Sequence, residues 1–210
     1  MAIAINGAGT ITGISSGGLP DGVVTVDDLS TTGTKSSDTF LSGTGAWAAA
    51  GGGKVLQCVQ TVVVSKETST TNDWVDISGF TVTTGTLAST SSKILLIVHA
   101  HAGQSSSQGI LMRFLRGSTV IYVGTGAADN NSNWNATLFG SYNSSTSDAI
   151  SSDTGVFLDV GPSAPGFADT SALTYKVQWR TISGTVYLNT NSGGNYGEMP
   201  SSITAIEIGA

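Results

Sequence analysis

From residue 54 onward the chain alternates between short runs rich in Val, Ile, Leu, Thr and aromatics and turns built from Gly, Ser and Asn. No stretch repeats its apolar residues at helical spacing, so the pattern points to an all-β fold. The runs lie at 54–64, 74–82, 93–102, 110–115, 120–123, 137–142, 155–160, 173–181, 185–189 and 203–208. Strands this short, divided by polar turns, predict an antiparallel β-sandwich or jelly roll. Ser78-Gly79 interrupts the alternation of its run and predicts a β-bulge. Arg116-Gly117-Ser118 and Ile182-Ser183-Gly184 each have the composition of a tight hairpin turn. The run at 93–102 is nearly all apolar, as a strand covered on both faces would be.

The first 53 residues have a different character. Their aliphatic positions are thin (Ile3, Ile5, Ile11, Ile14, Val24 and Val26) and scattered among Gly, Ser and Thr. Too few are present for a core, so residues 1–32 read as an extended arm that a partner orders. Residues 33–53, GTKSSDTFLSGTGAWAAAGGG, hold Phe40, Leu41 and Trp47 among small or polar residues. That Gly/Ala-rich stretch reads as a neck that either stays disordered or is ordered by copies of itself, the large side chains acting as knobs and the small ones permitting close approach. The expected organisation is a docking arm and neck over 1–53 and a β-sandwich head over 54–210.

Charge narrows the partners. Charged residues make up 10% of the chain and the net charge is −6, with Lys and Arg scattered singly. Without a basic patch a nucleic-acid role is not expected. No apolar run has membrane-spanning length and the start lacks a basic signal-peptide region, so the expectation is a chain made in the cytoplasm with no membrane insertion. The single cysteine, Cys58, sits in an apolar run and reads as a small buried hydrophobe rather than a nucleophile.

Long Asn/Ser/Gly-rich loops separate several strands, and Trp134, Tyr142, Phe167 and Tyr196 stand at or near their edges. An aromatic face beside amides is suited to stacking on a sugar ring, and Asn130, Asn131, Asn133 and Asn195 supply the amides. The alternative is that these aromatics tuck loop ends onto the sandwich. His99 and His101, two apart on a strand, share a face with Leu95 and Ile97. On the axis of a trimer such a pair would bring six imidazoles together, a donor set suited to a transition metal. Otherwise they are two hydrogen-bonded or solvated histidines at a strand end. Asp148, Asp153, Asp159, Asp169 and Glu198 could serve glycoside cleavage, but no spacing selects a pair. Asp159, alternating with Phe157, reads as facing solvent. No enzyme is expected, and no cofactor beyond that possible metal.

The run Gly-Thr-Lys-x-Ser-x-Thr-Phe-Leu-x-Gly-x-Gly-x-Trp from Gly33 to Trp47 resembles an element common in bacteriophage tail-fibre and other virion structural proteins. In those proteins it precedes a β-rich, usually trimeric tip. The Leu115-Arg116-Gly117-Ser118 turn and the Ser-Ser-Ile-Thr-Ala-Ile-Glu-Ile segment at 201–208 are also similar to such tips. The resemblance implies a short homotrimeric fibre or spike of a virion. Its arm would grip another virion protein, and its head loops would adhere to a bacterial surface glycan or receptor. The alternative is a capsid-attached decoration protein or head fibre; a glycan-cleaving spike comes third.

Overall fold

A computed structural model of the chain describes residues 34, 39–41, 46–49, 54–105, 109–122, 139–141, 150–162, 166–192 and 198–209. The chain divides into two compact units, Met1–Gly52 and Gly53–Ala210. Ile3, Ile5, Ile11 and Ile14 lie outside the described residues.

In the first unit, β1 (Thr39–Leu41) and β2 (Trp47–Ala49) form an antiparallel pair, with Phe40 opposite Ala48 and Leu41 opposite Trp47. The sequence reading had no strands here. Phe, Leu and Trp at these positions favour extended backbone. Leu41 is exposed and Trp47 half-buried.

The second unit is a β-sandwich, and among the described residues it contains no helix. The strands of the first sheet are β3 (Val55–Val63), β4 (Glu67–Ser69), β6 (Lys93–Gln104), β10 (Ile150–Asp159), β12 (Val186–Leu188) and β13 (Ser201–Ile208). The second sheet holds β5 (Val75–Thr83), β7 (Ile110–Arg116), β8 (Thr119–Ile121), β9 (Phe139–Ser141) and β11 (Thr174–Thr181). Every pairing is antiparallel.

β6 organises the first sheet. β10 runs along one edge of it, from Ile94 to Gly103. On the other edge β13 pairs with Lys93 to His99, and β12 takes over from Ala102 to Gln104. Backbone groups at this handover find side-chain partners. Ser201 Oγ accepts the His101 N–H at 2.9 Å and donates to Asn189 Oδ1 at 2.6 Å. Asn189 Nδ2 donates to the carbonyls of Val63 and Ser65, and its own N–H to the His101 carbonyl. Asn189 is fully buried with φ of 60°, a left-handed conformation that Asn tolerates better than most residues.

The core lies between the sheets. From β6 come Ile94, Leu96, Val98 and Ala100, opposed by Phe80 and Val82 of β5, Phe114 of β7 and Tyr175, Val177 and Trp179 of β11. In β5 the register against β11 shifts where Gly79 takes a φ of 69°, so Ile77 and Phe80, three apart, both point inward. That is the bulge expected at Ser78-Gly79. Gly117 and Ser118 turn β7 into β8, as the sequence predicts. The turn at Ile182-Ser183-Gly184 is not a hairpin. β11 belongs to the second sheet and β12 to the first, so this corner carries the chain from one layer to the other. Its composition signals a reversal but not which sheet receives the next strand.

Asp159 corrects another expectation. It faces the core, where Arg116 Nη1 donates to both carboxylate oxygens at 2.7 Å and the Tyr175 hydroxyl donates to Oδ2 at 2.8 Å. β10 of the first sheet is thereby tied to β7 and β11 of the second. Burial, reinforced by the Asp159 carboxylate, raises the Tyr175 pKa far above the usual phenol value, so the hydroxyl stays a donor. Removing one partner of a buried pair strands the other charge, at a cost of about 3–5 kcal/mol. Asp159→Ala is therefore expected to lower the unfolding free energy by about that amount in urea titrations at neutral pH. A loss under about 1 kcal/mol would mean that the pair does not hold the sheets together.

Candidate functional site

The outer faces of the two sheets differ in chemistry. On the second sheet the register sets Asp76, Gln178 and Arg113 in one row across β5, β11 and β7. Their side chains join. Gln178 Nε2 donates to Asp76 Oδ1 at 2.6 Å, and Arg113 Nε donates to Gln178 Oε1 at 2.8 Å. Lys176 Nζ donates to Asp76 Oδ2 at 2.6 Å, and this bond holds the Asp76 carboxyl below its usual range.

Trp74, just before β5, lies beside this row. The Arg113 guanidinium carbon sits 4.4 Å from the centre of its ring and that of Arg180 sits 5.8 Å away. Arg180 also donates to Asn72 Oδ1. Burial, and secondarily the nearby Arg180 charge, lower the Arg113 pKa from the usual guanidinium value. Arg113 engages Gln178 through Nε; its terminal nitrogens make no ion pair or hydrogen bond among the described residues. A planar cation with free terminal N–H groups matches a carboxylate in two-point geometry. The indole offers an apolar surface, and Asp76, Gln178 and Asn72 offer amide and carboxylate oxygens to hydroxyl groups.

On the first sheet, His99 and His101 do share the outward face of β6, half-buried. They form a linked pair: His99 Nε2 lies 3.0 Å from His101 Nε2, with ring centroids 4.6 Å apart and planes near perpendicular. Their Nδ1 atoms bond to Thr154 Oγ1 at 2.8 Å and Ser152 Oγ at 2.7 Å, the residues directly opposite on β10. One proton satisfies the contact between the two Nε2 atoms, whereas two would face each other. Burial, and secondarily the charge of His99, lower the His101 pKa below the ordinary imidazole value. Among the described residues no three His, Cys, Asp or Glu side chains come together as a metal cluster. A metal on this pair would need donors beyond the described residues of this chain.

The structure redistributes the other candidates. Phe167 does not present its ring to a ligand: it is buried in the core, with the Arg116 guanidinium over it, because its N–H is tied to the Thr90 carbonyl at 2.8 Å. Trp134, Tyr142, Tyr196, Asn130, Asn131, Asn133, Asn195 and Asp148 lie outside the described residues. Asp159 is engaged in the core, and Glu198 pairs with Lys66 at the surface. Cys58 is exposed rather than buried, on the outward side of β3. Sequence reading passed over Trp74, Arg113, Gln178 and Arg180. The signal was present: in Tyr-Lys-Val-Gln-Trp-Arg (residues 175–180) every second position is polar, which marks a strand with one polar face.

No protein family matches the chain, and no curated protein does. Among solved structures, a chain in the structure of the infectious bursal disease virus Gx strain is similar over 77% of this chain and 42% of its own length, at 15% identity and a TM-score of 0.30. This chain thus spans less than half of that one.

The His pair sets an expected pH dependence. In the unfolded chain His101 takes up a proton near the ordinary value of about 6.5, while in the fold it resists until lower pH. Between those two values the unfolded state binds more protons, so stability should fall as pH drops through this window and should be fully present above it. Urea titrations at pH values on either side of 6.5 check this, and His101→Gln should flatten the dependence. Stability that rises on acidification would contradict the burial of His101 as the cause.

Proposed function

We propose that this chain is a non-enzymatic structural protein of a bacteriophage virion, a short homotrimeric fibre or spike. Residues 1–53 attach it to another virion protein and its head adheres to an acidic saccharide on the bacterial surface. The observation that carries the adhesive part is the Arg113 fork laid over Trp74, beside Asp76, Gln178 and Asn72. A uronate or similar sugar offers the complementary set: a carboxylate for the guanidinium, apolar C–H groups for the part of the half-buried indole that Arg113 leaves exposed, hydroxyls for the amide and carboxylate oxygens. Such a cationic cluster stands out in a chain of net charge −6. The virion part is supported by the resemblance of residues 33–47 to the phage element and by the division of the chain after Gly52.

Contacts of this kind are individually weak, so several heads in one fibre would raise the overall affinity. Binding of the full-length protein to arrayed saccharides, with and without carboxylates, tests the reading. Carboxylated sugars should be retained and neutral ones not. Arg113→Met should cut retention at least tenfold, about the effect of losing 1.4 kcal/mol or more. No retention of any acidic saccharide, or retention unchanged by Arg113→Met, would remove the adhesive function. Decoration of a capsid would then be the better account.

A further inference from the structure

The outward face of the first sheet carries an apolar patch that gives way toward one end to Ser202, Thr154 and the His pair. In β3, β13, β6 and β10 the register aligns Cys58, Ile206, Leu95 and Leu158 in one row. The adjacent row is Gln60, Thr204, Ile97 and Val156. Val156 is 58% exposed, Val62 51% and Leu158 41%. The carboxylates these four strands carry, Asp153, Asp159 and Glu207, fall on the inward side of the alternation, and Lys93 stands at a corner of the outward face. Among the described residues the face is thus free of negative charge, in a chain of net charge −6.

We infer that this four-stranded face is the surface on which copies of the chain pack against one another. Charge favours a second copy as the occupant. Acidic molecules repel each other except where the contacting surfaces lack like charge, and this face meets that condition. Extent agrees. Four strands about 4.8 Å apart and seven residues at about 3.4 Å give a face of about 450 Å². That is over half of the roughly 800 Å² each partner contributes to a standard interface. Val55 at the start of β3 and Val64 just after its end, 68% and 65% exposed, extend it. The strand sequences agree as well: over residues 94–98 β6 is continuously apolar, which suits burial on both sides, and the described residues cover only one. The His99–His101 pair sits at the end of the same face and is compatible with burial in its neutral, internally bonded form.

This inference rests on the reading of the chain as an assembled virion part. It does not depend on saccharide binding, which lies on the other sheet and can fail separately. Sedimentation of the full-length protein over a wide concentration range is the test. Wild type should sediment at a multiple of 21.2 kDa. The double variant Val62→Glu/Val156→Glu changes two exposed side chains, so it should keep the wild-type circular dichroism and sediment as a monomer. The milder Val62→Ser/Val156→Ser should shift the midpoint of association at least tenfold to higher concentration. A wild-type chain that stays monomeric throughout, whether its face is open or covered by its own residues 1–53, would overturn the proposal. So would folded variants that associate as wild type does.

Discussion

Over residues 94–98 β6 is apolar on both sides and needs two covers, of which the described residues supply one. The inward residues Ile94, Leu96, Val98 and Ala100 are sealed by the second sheet. The outward residues Leu95 and Ile97 are only half-covered by their neighbours on β10 and β13. The same strand organises its sheet, since β10 occupies one edge and β13 followed by β12 the other. The single-chain fold therefore carries within its central element a reason to associate.

Polar groups in the interior hold the two layers in register. Asp159, Arg116 and Tyr175 join β10 to β7 and β11 by charge-assisted bonds. Glu207 accepts from Gln57 Nε2 at 2.5 Å and from the Ala88 N–H at 2.8 Å, tying β13 to β3 and to the loop after β5. Ser201 and Asn189 close the point where one strand succeeds another along β6. With Asp159 and Glu207 turned inward to these duties, the outer face of β3, β13, β6 and β10 combines aliphatic side chains with uncharged polar ones and the His pair. The second sheet differs. Its outward row of Asp76, Gln178 and Arg113 is polar and cross-linked, and two guanidinium groups converge on Trp74. One face suits assembly and the other suits a polar ligand.

The strand pattern was legible because period-two alternation is a local property. The runs read around β3, β5, β6, β7, β11 and β13 agree with the observed strands to within a few residues. The bulge at Gly79 was legible for the same reason. What escaped was the pairing of distant elements. Asp159 alternates as a solvent-facing residue would, and only the arrival of Arg116 and Tyr175 from the other sheet explains its burial. Phe167 looked like a loop aromatic because its seat in the core is made by Thr90 and Arg116, far away in sequence. The Ile182-Ser183-Gly184 turn declared a reversal, but not that the next strand would join the other sheet. His99 and His101 were placed on a shared face from spacing alone, whereas their mutual bond and their hydroxyl partners on β10 depend on register. The Arg113–Trp74 site combines three strands, so no single run announced it.

Cys58 lies on the edge strand of the apolar face, at the end of the row it forms with Ile206, Leu95 and Leu158, and as the sole cysteine it reports on that face without any substitution. The rate at which its thiol reacts with a maleimide, followed as protein concentration rises, tests the account most directly. If copies pack through this sheet, the rate constant per thiol should fall as the oligomer forms and recover on dilution. A rate constant that stays the same from dilute to concentrated protein, while the sedimenting mass increases, would place the contact between copies on some other surface.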